Sequence, residues 1–192
     1  MSGNVTDTLR RLLTYIVPFE DTELDLIVAC FKLRSVKRRT ILLHQNEVCK
    51  EFFFIHTGCL RTYFIDKKGL EKTRYVMLDC SIGTALTSFI SQQPSFEFIE
   101  AIDDSELLYI SHPDFYRLND ELDQWKIFYQ RILEMAYSFQ NKKIDSLVTL
   151  SAKQRYDQLL KENPVLIQRL SNKILASYLD VKPETLSRLK SK

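Results

Sequence analysis

The sequence predicts an α+β protein: an N-terminal antiparallel β-roll of jelly-roll type, a long helix, and a C-terminal helical domain. Three observations predict it. Short β-branched and aromatic segments, separated by turn residues, fill positions 40–110. An apolar stripe at three- and four-residue spacing follows, with no Pro or Gly between Pro113 and Pro164. The last 23 residues fit two short helices that cross at a tight turn. The expected divisions are 1–117 for the roll and its preceding helices, 118–147 for the long helix, and 148–192 for the helical end.

Composition limits the possibilities before any motif is considered. The chain has 192 residues, 45% of them hydrophobic and 11% aromatic, enough for a real core and too apolar for a disordered chain. Its longest apolar run, Leu26–Phe31, falls far short of the ~20 residues a membrane span needs. The opening residues lack the basic-then-apolar layout of an export signal. Cys30, Cys49, Cys59 and Cys80 form no C-x-x-C pair, and a disulfide framework is not expected in such a chain. These features predict a soluble cytoplasmic protein. Only four glycines occur, which disfavours glycine-rich phosphate loops. Net charge is +2 and uneven: residues 149–192 carry +5 and the rest −3, pointing to a polyanionic partner at the C-terminal end.

The elements follow in order. Leu9, Leu12, Leu13 and Ile16 define a first helix, Pro18 interrupts it, and Leu24, Ile27, Val28 and Phe31 resume the period. Strands are expected at 40–43, 52–55, 59–65, 71–78, 97–102 and 106–110. The third and fourth form a hairpin through Lys67-Lys68-Gly69, with Thr73, Tyr75 and Met77 on one face of its second arm. From about Leu118 the helical period returns. Leu122, Trp125, Tyr129, Ile132, Ala136 and Phe139 form a stripe too long for a small barrel alone to cover; it is expected to be a homodimer seam, the alternative being a helix that lies against the roll. Ser151 can cap a further short helix that Asn163-Pro164 ends.

The C-terminal pattern carries the function. Leu175 and Leu179 point inward from one helix, Leu186 and Leu189 from the next, with Val181 at the corner and the small Ala176 at the crossing. Asp180 takes the left-handed turn position usually held by glycine, at a cost of ~1 kcal/mol. Pro183 suits the first turn of the second helix. This is helix-turn-helix spacing, with double-stranded DNA as the partner. Lys182, Glu184, Thr185, Ser187 and Arg188 lie where side chains enter a major groove, and Lys173, Lys190 and Lys192 suit phosphates. Arg188 can read guanine and Glu184 can accept from a cytosine amino group.

The order of parts resembles the Crp/Fnr family of bacterial transcription regulators. Its most specific piece is Glu184-Thr185-Leu186-Ser187-Arg188, similar to the family's E-x-x-S-R recognition helix. Phe54–Arg61 and Ser81-Ile82-Gly83 support it. The resemblance implies a homodimer on a near-palindromic DNA site, working with RNA polymerase. It also exposes a departure. Members that bind cyclic nucleotides carry G-E-L and, about ten residues later, R-S-A or R-T-A. Here Gly83 is followed by Thr84 and Ala85, and the arginine and serine positions are Ser95 and Phe96. Without the charge-assisted Arg–phosphate contact, and with Glu97, Glu100, Asp103 and Asp104 nearby, this pocket remnant is not expected to hold cAMP conventionally. Two alternatives stand beside this reading: non-standard binding of cAMP or a related nucleotide, and a signalling module that binds no DNA. No cofactor is expected. His44, His56 and His112 lack metal-ligand spacing, no nucleophile motif occurs, and the chain is not expected to be an enzyme.

Overall fold

A computed structural model describes residues 4–191, and these form two compact units. The first holds the chain up to Phe64 together with Tyr75–Leu133; the second holds Ile65–Arg74 and everything from Glu134 onward. Two helices, α1 (Val5–Ile16) and α2 (Asp21–Ala29), open the first unit. Asn4 starts α1 by accepting the Thr6 N–H, and a reciprocal Glu20–Glu23 capping box starts α2.

Eight strands follow: β1 (Lys32–Val36), β2 (Ile41–Leu43), β3 (Glu51–Thr57), β4 (Leu60–Ile65), β5 (Glu71–Met77), β6 (Ser81–Gly83), β7 (Phe98–Ala101) and β8 (Ser105–Ser111). A one-and-a-half-turn helix, α3 (Leu86–Ser91), lies between β6 and β7. The strands make two antiparallel sheets in the orders β1-β8-β3-β6 and β2-β7-β4-β5, the expected roll. Sequence reasoning overlooks β1, β6 and α3, because Lys32–Val36 alternates weakly and the other two are only a turn or a few residues long. Asn46 sits at φ 71°, the left-handed conformation that glycine would otherwise supply. At Gly58, with φ 113°, a Cβ would stand 2.6 Å from the Ser105 Cα, so only glycine fits.

The core of this unit is aromatic. Phe53, Phe54, Phe89, Phe115, Trp125 and Phe128 are almost wholly buried among Leu9, Leu13 and Ile27. Each such side chain stabilises the fold by about 2–3 kcal/mol through removal from water. The Trp125 indole N–H donates to the Phe115 carbonyl at 3.1 Å, so burial leaves no donor unpaired.

The long helical stretch is not one helix. Ser111 caps α4 (His112–Glu121), Leu122 turns extended at φ −121°, ψ 116°, and α5 (Asp123–Thr149) begins after it. The second unit then adds α6 (Ala152–Glu162), α7 (Pro164–Arg169), α8 (Asn172–Tyr178) and α9 (Pro183–Lys190). Ser151 and Gln154 make the capping box of α6, and Ser171 caps α8. The segment after Asn163 forms α7, with Pro164 at its first position. No helix among the described residues is long and apolar enough to cross a membrane.

Candidate nucleic-acid interface

The crossing of α8 and α9 is built as the sequence predicts. Leu175, Ala176, Leu179 and Leu186 are buried between the two helices. Asp180 adopts φ 52°, and the Val181 N–H reaches back to the Ala176 carbonyl at 2.9 Å, closing the left-handed end of α8. The Arg155 guanidinium holds the same end from α6, donating to the Leu179 carbonyl at 3.1 Å and to the Leu150 carbonyl at 2.7 Å. A cation at the negative end of α8 is also favourable to the helix dipole. Sequence spacing gives no sign of this anchor, because Arg155 lies a whole element away.

Beyond the turn, Lys182, Glu184, Ser187 and Arg188 are exposed and Thr185 is half-buried. Ser187 donates to the Pro183 carbonyl, an ordinary back-bond within the helix. Among the described residues no ion pair or hydrogen bond engages the side chains of Lys182, Glu184 or Arg188. Three groups able to bond to base edges or phosphates are therefore presented on one short helix.

The expected phosphate lysines differ from these. Lys190 donates to the Asn172 Oδ1 at 2.6 Å, which ties the end of α9 to the start of α8. Lys173 is paired with Glu71 at 2.7 Å. Lys192 lies outside the described residues. Sequence reasoning also missed Lys143. Its amine donates to the carbonyls of Tyr178 at 3.0 Å and Arg74 at 3.3 Å and stands 3.6 Å from the Tyr178 ring centroid. Burial pushes this amine down to about 8, with Arg74 pressing the same way and Asp180 opposing.

The pocket remnant in the roll is spent on its own architecture. The Thr84 hydroxyl donates to the Glu51 carbonyl at 2.7 Å and meets the Cys49 thiol at 3.0 Å. Burial raises that thiol above its ordinary range. Ala85 is buried and starts α3, and a Cβ at Gly83 would meet the Met77 sulfur at 2.6 Å. Ser95 is buried and exchanges two 3.0 Å hydrogen bonds with the backbone of Glu97. Phe96 is partly exposed and touches the Phe64 ring. None of the five carries a cation. The Glu97 carboxyl is buried beside Thr62, and buried Arg61 gives both Nε and a terminal N–H to Glu100, at 2.8 and 2.5 Å.

The expected dimer seam requires correction. Trp125 and Ile132 are buried in the core of their own chain, and Leu122 and Tyr129 pack against it, the latter bonded to the Tyr116 hydroxyl at 2.9 Å. Trp125 and Ile132 have almost no surface left for a partner, whereas Leu122 and Tyr129 are half-buried. Ala136 and Phe139 are half-buried, and Phe139 lines a groove of about 160 Å³ with Leu147, Leu159 and Leu179. The apolar face left open in the second half of α5 is Tyr137, Ile144 and Val148, respectively 72%, 56% and 80% exposed. Their spacing of seven and four residues places them on one side of the helix.

Comparison with known proteins agrees with this architecture. Residues 33–121 match the cyclic nucleotide-binding domain model. The described residues share the fold of solved structures of Crp/Fnr type. The chain is similar to a protein assigned to the Crp/Fnr family of transcriptional regulators from Eubacterium rectale, with 21% identity, 89% of this chain and 82% of that one covered, and a TM-score of 0.70. FixK2 from Bradyrhizobium japonicum is similar at 16% identity, with 84% and 83% covered and a TM-score of 0.73. The c-di-GMP-responsive global regulator CLP of Xanthomonas campestris is similar at 16% identity, with 90% of each chain covered and a TM-score of 0.70. Among curated protein sequences none matches the chain.

Proposed function

We propose that this protein is a sequence-specific, DNA-binding transcription regulator of the Crp/Fnr type, acting in the cytoplasm as a homodimer and in concert with RNA polymerase. The observation that carries the reading is the exposed Glu184 and Arg188 on a helix set by the left-handed Asp180 turn, with no partner for either side chain among the described residues. An uncompensated guanidinium matches guanine O6 and N7, and a carboxylate matches the cytosine amino group. Dimerisation runs through Tyr137, Ile144 and Val148, the apolar face of α5 left uncovered within the chain. A two-fold axis along α5 then demands two half-sites about one helical turn, roughly 34 Å, apart.

Selection from random duplexes tests this directly. The wild type should enrich a near-palindromic motif. Arg188→Ala should lose about 1–3 kcal/mol on that motif and relax one base pair in each half-site. Absence of an enriched motif, or an equal loss on every sequence, would exclude base reading by α9. The roll is proposed to act without conventional cAMP binding, since Ser95 is locked to the backbone of Glu97 where the family places its phosphate-binding arginine. Titration calorimetry should find cAMP and cGMP no tighter than roughly millimolar, about −4 kcal/mol. Micromolar binding of either would overturn that part of the reading.

A further inference from the structure

The tip of the β4–β5 hairpin, residues 65–74, belongs to the same compact unit as the helix-turn-helix. Three consecutive residues of it meet one line of positions on α8 and its turn. The Thr73 N–H donates to the Ser177 Oγ at 2.7 Å, and that hydroxyl donates to the Glu71 carbonyl at 2.8 Å. Glu71 pairs with Lys173 at 2.7 Å, and Lys72 pairs with Asp180. Residues 173 and 177 stand four apart on one face of α8, and Asp180 follows in its left-handed turn. The first helix of a helix-turn-helix crosses the DNA backbone while the second enters the groove. Lys173 lies in the first turn of α8, the part of the motif suited to a phosphate, and an acidic side chain already occupies it.

We propose that the Glu71 carboxylate is a built-in competitor for a DNA phosphate at Lys173, so that the hairpin tip lowers affinity for all DNA alike and leaves base preference to α9. This inference rests on the DNA-binding reading above. The chemistry of the exchange is one anion for another: a carboxylate leaves the ammonium group and a phosphate oxygen takes its place. Lys173 is largely exposed and Glu71 about a quarter exposed, so the pair is weak. A weak pair is what competition requires, because a strong one would abolish the contact instead of tuning it. Since Lys173 comes to DNA already neutralised by Glu71, its phosphate contact releases fewer counterions than a free lysine would.

The test is a double-mutant cycle on the full chain, measured across a salt series with the selected motif and with an unrelated duplex. Glu71→Gln should tighten binding to both duplexes by about 2- to 10-fold and steepen the slope of log K against log salt by about one per protomer. Lys173→Gln in the Glu71→Gln background should erase that gain, while in the wild-type background it should cost much less. Thermal unfolding of each variant guards against a folding effect; should Glu71→Gln unfold, Glu71→Asp, whose shorter side chain withdraws the carboxylate, takes its place. Unchanged or weaker binding by the Glu71 variant on both duplexes overturns the proposal, weaker binding meaning that the tip supports α8. Equal Lys173→Gln effects in both backgrounds overturn it too. Failure of the wild type to prefer its motif is a different result and removes the DNA reading itself.

Discussion

The two halves of α5 make an instructive contrast. Trp125, Phe128 and Ile132 in the first half turn into the aromatic core of their own chain. Tyr137, Ile144 and Val148 in the second half face solvent. Both halves are apolar at helical spacing, and both carry aromatic residues. The difference is the partner available to each face: in the first unit, Phe115 and Phe19 offer rings that pack against Trp125 and Phe128. In the second unit nothing among the described residues covers the Tyr137–Val148 face to the same degree. A periodic stripe thus says that a helix face wants burial, and does not say in which molecule.

The largest effect should come from charging the first half. Ile132→Glu buries a carboxylate in an apolar core and should destabilise the chain by at least about 3 kcal/mol in urea unfolding. A mild loss there would break the contrast, because it would mean that this face is accessible. Charging the second half should do the opposite. Ile144→Glu with Val148→Glu should leave the unfolding midpoint of the monomer within about 0.5 kcal/mol of its original stability. Sedimentation should nevertheless show a monomer in place of a dimer. A dimer of unchanged size would show that the exposed face is not the seam.

A smaller effect concerns the second unit alone. Lys143 sits at about 8 in the folded chain, below the ordinary lysine value near 10.4 in an unfolded one. Between these values the unfolded chain binds more protons, so stability should rise with pH from about 8 to 10 and be lowest below 8. The rise should be about 1–3 kcal/mol, and Lys143→Met should flatten it. A wild-type profile without this rise would show that the amine reaches water more freely than its contacts with Tyr178 and Arg74 suggest.

Much of the recognition end was legible beforehand because its determinants are local. Asp180 in the left-handed turn, Pro183 at the helix start and the buried Leu175, Ala176, Leu179 and Leu186 all follow from spacing within a dozen residues. The capping of α6 by Ser151 is equally local. The roll was legible as a set of strands, with Ser95 expected at the position that the family resemblance gives to an anion-binding arginine. What Ser95 does instead was not, since its bonds to the Glu97 backbone depend on a turn that no pattern announces. Nor was the break at Leu122, where the apolar period continues across an extended residue.

Sequence by itself determined most of the helices and strands, where α9 begins, and which side chains it presents. These are consequences of short-range sterics, capping and periodicity, settled within a few residues of chain. Tertiary structure alone decided that Lys173 is matched with Glu71, that the half-buried Lys143 rests against Tyr178, and that Ile132 faces inward while Val148 faces out. Such pairings join residues that lie far apart along the chain, or depend on what stands opposite a given face. Burial and charge partnership are properties of that opposite surface, and a one-dimensional pattern does not contain it.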